Sequence, residues 1–141
     1  MTYTTSQAFA GRGTKLEAQY GSPLAFTELA EIKKISFTGS KYDLADVTNM
    51  QSGNFREWLP TLADSGELSF EANYIPGDAT QSALTGLFNA ATLTAWKVIL
   101  PGGLGEITFN GYVTSLDRDI PVDKEGSISG KIKITGQIGT P

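Results

Sequence analysis

Residues 64–100 read DSGELSFEANYIPGDATQSALTGLFNAATLTAWKVIL, and the spacing of their apolar residues changes twice. Leu68, Phe70, Ala72 and Tyr74 alternate with Glu67, Ser69, Glu71 and Asn73, the period of a half-buried strand. Pro76-Gly77 stops that strand, because proline gives up a ladder donor and glycine accepts turn geometry. Asp78 is placed to cap a helix, with Gln81 three residues on to complete a capping box. Leu84, Leu87, Phe88 and Ala91 then fall on one stripe of a helix of about fourteen residues. After Thr92 the period returns to two, with Trp96, Val98 and Leu100 on one face and Lys97 on the other. One amphipathic helix clipped between two strands is expected to lie against their sheet.

Moving outward, both flanks are rich in strands. Leu16, Ala18 and Tyr20 alternate with Lys15, Glu17 and Gln19, and Gly21-Ser22-Pro23 turns the chain. The first twelve residues are small and polar and are expected to form a mobile arm ahead of a single domain over 13–141. Phe26 to Phe37 favours strand, but its alternation slips at Lys33-Lys34, as at a bulge or a guarded edge. On the other side, Pro101-Gly102-Gly103-Leu104-Gly105 is a tight connection. Glu106 to Leu116 is a strand with Ile107, Phe109 and Val113 inward and Gly111 leaving a flat spot. Ile128, Ile132, Ile134 and Ile138 face in on the last strand, against Lys131, Lys133, Thr135 and Gln137. Gly130 and Gly136 share its apolar side, where another backbone can approach. Six or seven strands with short turns and one helix give a mainly β fold. The expected architecture is an antiparallel β-sandwich or partly closed barrel with one flanking helix.

Thr38 to Ala63 does not follow either period. Asn54 and Glu57 could cap a short turn, placing Phe55, Trp58, Leu59 and Leu62 at helical spacing until Pro60 cuts it. So many large apolar side chains cost about 1.5–3 kcal/mol each to leave in water. Either the segment folds back on its own core, to which the residues alone lean, or it docks on another subunit.

Composition excludes much chemistry. The 141 residues contain no cysteine and no histidine. Disulfides, thiolate nucleophiles, Ser-His-Asp triads and most zinc sites are therefore out of reach. The glycines of 101–105 lack the Lys-Ser/Thr of a phosphate loop. Asp117, Asp119, Asp123 and Glu125 gather in one stretch, but their spacing misses the EF-hand and Arg118 and Lys124 dilute them. Glu67 and Glu71 share a strand face, as an acid–base pair would, but outward glutamates on a sheet are usually solvated. No catalytic, metal or cofactor site is assigned, and an enzyme is not expected. The net charge of −4 is the wrong sign for gripping phosphate backbones. The N-terminus shows no export signal, and no apolar run approaches a membrane span, so a soluble cytoplasmic protein is the default.

Several stretches together resemble the tail tube (major tail) proteins of long-tailed bacteriophages. They are FREWLPTLADSGELSFEANY, the capped helix after Pro76-Gly77-Asp78, ITFNGYVTSLDRDIPVDKEGSISGKIKITGQI, and GTKLEAQ with FTELAEIKKIS. The resemblance spans about residues 13–138, with one departure at Thr61, where relatives favour glycine. It implies a β-sandwich subunit in six-membered rings that stack into a hollow tube in the virion tail, assembled in the host cytoplasm. Implied partners are further copies of the chain, a tape-measure protein, and tail terminator and initiator proteins. Genomic DNA passes through without specific binding, and no membrane is involved. On this reading Tyr42, Phe55, Trp58 and Leu59 belong to a subunit interface, and an acidic wall would keep DNA from sticking. Glu67, Ser69, Glu71 and Asn73, the polar face opposite a clear core face, would contribute to the channel wall. A tube protein of a type VI secretion system or contractile tail is a close alternative. A monomeric β-sandwich that stacks a ligand such as carbohydrate on Trp58 or Trp96 is another of a different class.

Overall fold

The computed structural model describes residues 10–21 and 23–140. Most of the expected arm, residues 1–9, lies outside them. Nine strands and one helix follow in the order β1 (Lys15–Tyr20), β2 (Ala25–Glu28), β3 (Ile32–Thr38), β4 (Lys41–Asp46), β5 (Trp58–Asp64), β6 (Glu67–Asn73), α1 (Ala79–Ala90), β7 (Thr94–Ile99), β8 (Glu106–Asp119) and β9 (Ser127–Gly139). Seven strands form one sheet in the order β2-β1-β7-β8-β9-β6-β3, and every pairing in it is antiparallel. β4 and β5 form a separate two-stranded sheet.

The seven-stranded sheet curls over its own apolar face. Phe37 on the end strand β3 packs edge-on against Phe109 of β8, with ring centroids 5.7 Å apart. Near the other end, the Leu29 amide donates to the Leu16 carbonyl at 2.9 Å. The resulting sandwich encloses Leu16, Ala18, Leu68, Phe70, Trp96, Val98, Phe109, Val113, Ile132 and Ile134. These are the inward residues that alternation marks, and the register carries each onto one face. End strands β2 and β3 are not hydrogen-bonded to each other, so the barrel stays open.

The slip at Lys33-Lys34 is both a bulge and an edge. The register of β3 on β6 shifts between Ile32 and Lys34, and β3 ends the sheet. Phe26 to Phe37 is therefore two strands, broken at Leu29–Glu31, where Glu31 adopts a φ of +52°.

The helix is shorter than its apolar spacing suggests. Asp78 caps it, accepting from the Thr80 and Gln81 amides, but Gln81 does not complete a capping box. Its side chain instead accepts from the Ile75 amide (3.0 Å) and donates to the Asn73 carbonyl (2.7 Å), which ties α1 to the end of β6. Gln81 and Leu84 are the buried positions; Leu87 is half-buried and Phe88 is 38% exposed. Ala91 is not on the stripe, because the chain leaves the helix there in the left-handed region (φ 49°). The helix covers an edge. β7 pairs only with residues 106–111 of β8, so the rest of β8 has β9 on one side and α1 against it. Arg118 of β8 donates to the Thr85 hydroxyl at 2.8 Å and lies over the Tyr74 ring.

Of the two glycines on the apolar side of β9, one meets the expectation and one does not. A Cβ on Gly130 would lie 2.8 Å from the Ser115 carbonyl and 2.9 Å from Phe70, so the expected close approach occurs there. A Cβ on Gly136 would meet nothing within 4 Å; its φ of +82° belongs to the irregular pairing between β8 and the end of β9. Asp117 and Asp119 lie in β8 rather than in the loop that follows.

Candidate functional site

Thr38–Ala63 is neither self-buried nor helical. The expected turn at Asn54–Glu57 does not form; Trp58–Asp64 is a strand, and Pro60 is tolerated because β5 has a single partner. β4 and β5 continue the β3–β6 pair beyond the sandwich, since Thr38 opposes Glu67 and Lys41 opposes Asp64. Between them the chain kinks at Gly39 and Gly66, with φ of +82° and +83°. A Cβ on Gly66 would lie 2.1 Å from the Thr38 carbonyl, so only glycine fits the kink.

Side chains fix the kink. Asp64 accepts from the Gly66 amide (2.8 Å) and from the Lys133 ammonium (2.9 Å). The Lys133 hydrogen bond, more than any other cause, holds the Asp64 carboxyl below the usual carboxylate range. Ser40 donates to the Ser65 carbonyl, Ser65 donates to Gly136, and the Ile134 amide donates to the Gly66 carbonyl. The hairpin is thus anchored to β9 at its base. Thr61, the departure noted in the sequence, donates its hydroxyl to the Asp43 carbonyl at 2.9 Å and links β5 to β4.

The tip satisfies its own polar groups. Asp46 accepts from the Thr48 amide, Glu57 and Thr48 bond across the turn, and Asn49 accepts from Gln51. The apolar side chains are left outside. Tyr42 is 62% exposed, Trp58 51%, Leu59 54% and Phe55 82%, and Leu44 and Met50 are exposed too. So all four expected interface residues are on this hairpin, free of the core. They do not form one patch. Tyr42 and Trp58 lie on the face that also carries Leu44 and Pro60, because opposed residues share a face. Leu59 opposes Ala45 on the other face.

The second candidate surface is the outer face of β6. Glu67, Ser69 and Glu71 are half-exposed beside β9 and β3. Their charge is matched rather than acidic. Glu67 pairs with Lys131 (3.8 Å) and Glu71 with Lys33 (3.9 Å), while Lys133 and Lys34 directly oppose them. Net charge alone conceals this interleaving. Asn73 is committed elsewhere: its amide nitrogens reach Glu31, and its carbonyl accepts from Gln81.

Two open clefts, of about 490 and 500 Å³, lie along the sandwich. The first is lined by Ile32, Ile35, Phe37, Val98, Leu100 and Ile107, with Lys33 and Lys34 beside them. Among the described residues, no three acidic side chains meet in a way that could hold a metal ion, and no helix is long and apolar enough to cross a membrane. Trp96 cannot be a stacking platform: it is fully buried, and its indole donates to the Gly111 carbonyl at 3.2 Å.

Comparison with known proteins gives one family. Residues 8–140 match the family described as "Lambda phage tail tube protein, TTP". No curated protein matches the chain. Among solved structures, the fold is similar to a chain in the tail of the empty gene transfer agent particle, refined with C6 symmetry. The TM-score is 0.76 at 17% identity, over 95% of this chain and 99% of that one. It is similar to a chain of the SPP1 tail tube, with a TM-score of 0.70 at 15% identity, over 92% and 77%. A chain of the six-fold symmetrised anti-feeding prophage baseplate gives 0.74 at 9%, over 96% of each. At such identities the likeness is one of fold.

Proposed function

This chain belongs to the lambda phage tail tube protein family, and from that premise we propose that it is the repeating structural subunit of a phage tail tube. Subunits form six-membered rings that stack into a hollow conduit for genomic DNA, located in the virion tail. The observation that carries this reading is the β4–β5 hairpin. A two-stranded hairpin is marginal alone, and this one holds its large apolar side chains in water on a base anchored to the sandwich. Such a surface is built to be covered, and Tyr42, Phe55, Trp58 and Leu59 are its contact residues. The C6 and six-fold symmetry of the similar tail structures supports the ring stoichiometry.

The outer face of Glu67, Ser69 and Glu71, with Asn73 at its end, faces the channel. Two of its lysines, Lys33 and Lys131, are paired with Glu71 and Glu67 rather than left to grip phosphate. A tape-measure protein occupies the lumen before DNA, and terminator and initiator proteins close the two ends. The fold likeness to the anti-feeding prophage supports a second reading, a tube subunit of a contractile system; the family match favours the first.

The test is assembly. The purified chain should sediment as rings or tubes well above 15.0 kDa, with six-fold rings visible by electron microscopy. Trp58→Ala should leave the melting temperature of the free subunit nearly unchanged and reduce tube formation roughly tenfold or more, as for a central interface aromatic. A variant that melts several degrees lower and still polymerises would place Trp58 in a folding role and overturn the assignment.

A further inference from the structure

We infer that residues 1–9 of this chain, which lie outside the described residues, seat in the apolar cleft of their own subunit with Phe9 as the anchor. The cleft, about 490 Å³, opens between the end strand β3, which offers Ile32, Ile35 and Phe37, and the β7–β8 connection, which offers Val98, Leu100 and Ile107. That volume lies within the ~300–1,000 Å³ of pockets that hold small ligands. The inference concerns the free subunit and does not depend on the tube-subunit reading.

The chain enters β1 from the wall of this cleft, since Gly11 and Thr14 are part of its lining. The Thr14 amide donates to the Gly11 carbonyl at 3.1 Å, closing a four-residue turn with Gly13 at φ +91° in its third position. A positive φ there belongs to a type II turn, which reverses the chain. Residues before Gly11 therefore head back along the body of the subunit instead of extending the line of β1 beyond it. Phe9 is two residues from Gly11, so its Cα stays within about 7 Å of a lining residue.

The chemistry of the segment matches the wall. MTYTTSQAF has no charged side chain and carries two aromatics, Tyr3 and Phe9. Seating it desolvates no side-chain charge and covers apolar surface. Lys33 at the rim is already held by Glu71 and Glu125, which weakens any pull on an acidic partner and favours an uncharged occupant. The short tether favours the chain's own segment over that of another copy. Its effective concentration is on the order of millimolar, and a second copy competes only at comparable subunit concentration. A segment lying over the cleft also screens the free edge of β3 from stray pairing.

The experiment is nuclear magnetic resonance on the full chain, with isotope-labelled and unlabelled copies mixed. The Phe9 ring should show contacts to the methyl groups of Ile35, Val98 or Ile107 within one labelled copy. Contacts found only between labelled and unlabelled copies give the cleft to a second copy and overturn the inference. A Phe9 ring that contacts none of these methyl groups overturns it too. Phe9→Ala should lower the melting temperature by about 3–6 °C and raise the fluorescence of an apolar dye such as ANS. Phe9→Leu should recover most of both changes. Neither substitution touches the described core, so the domain still folds. A Phe9→Ala chain that melts as wild type and binds no more dye also overturns the inference. Whether these chains form tubes is a separate result and bears on the function reading alone.

Discussion

Asp78 meets the first turn of α1 with one carboxylate. Its oxygen accepts from the Thr80 hydroxyl and from the Thr80 and Gln81 amides, the last two being backbone donors that the helix start leaves over. The Thr80 hydrogen bond leads the causes that hold this carboxyl below its ordinary range. Because the folded pKa is the lower one, the stabilisation is complete above the unfolded carboxylate value, near pH ~4. It is lost as the pH falls through the folded value. Asp78→Asn keeps an acceptor and loses the charge. The gap in melting temperature between wild type and variant should be widest at neutral pH and close towards strong acid, as followed by circular dichroism. At the other end of α1, Ala91 holds a left-handed conformation that favours glycine. Ala91→Gly should stabilise the subunit by about 0.5–1 kcal/mol, the relief of strain less the added freedom of the unfolded chain. Chemical denaturation checks it.

At the scale of the element, α1 separates two leucine-like positions that look equivalent in the sequence. Leu84 is buried in the sandwich core, whereas Phe88, one turn on, is 38% exposed. Leu84→Ala should cost about 2–5 kcal/mol, a large part of the stability of a domain this size. Phe88→Ala should cost less, about 1–2 kcal/mol, because more than a third of the residue is already in water. Equilibrium urea unfolding of the two variants decides it, and equal losses would mean that Phe88 is covered. The hairpin β4–β5 makes the same point in reverse. Its residues are as apolar as those of a core strand, yet the kink at Gly39 and Gly66 turns them away from the sheet. The anchor from Asp64 to Lys133 then holds that direction.

For the whole molecule, the distribution of charge matters more than its sum. The net charge of −4 does not make the outer face of β6 acidic, because β9 and β3 set lysines beside Glu67 and Glu71. Exposed pairs of this kind contribute little to folding. Glu67→Lys with Glu71→Lys should therefore leave subunits folded and tubes assembled while leaving Lys33 and Lys131 without these partners. If this face lines the channel, the variant tubes should retain short duplex DNA in a strongly salt-dependent manner and wild-type tubes should not. Tubes of the double variant that retain no DNA at low salt would place this face outside the lumen.

Alternation along β1, β6, β7, β8 and β9 determined the core from sequence, since a period of two with one buried face admits one register. The cap at Asp78 and the turn at Pro76-Gly77 were legible for the same local reason: their chemistry acts within a few residues. The absence of cysteine and histidine limited the chemistry before any fold was known. What lay beyond the sequence depends on partners distant in the chain. β4 and β5 lack a clean period because neither face is buried, so nothing selects alternation, and the register shift in their pairing blurs it further. Helical spacing marked Phe88 as core, but only the placement of α1 along β8 decides how much of its stripe meets the sandwich. Gln81 fitted a capping box, yet tertiary structure brought the end of β6 within its reach, and the Ile75 amide and Asn73 carbonyl took it. Lys131 and Lys33 reach Glu67 and Glu71 only through strand pairing, which no local pattern encodes.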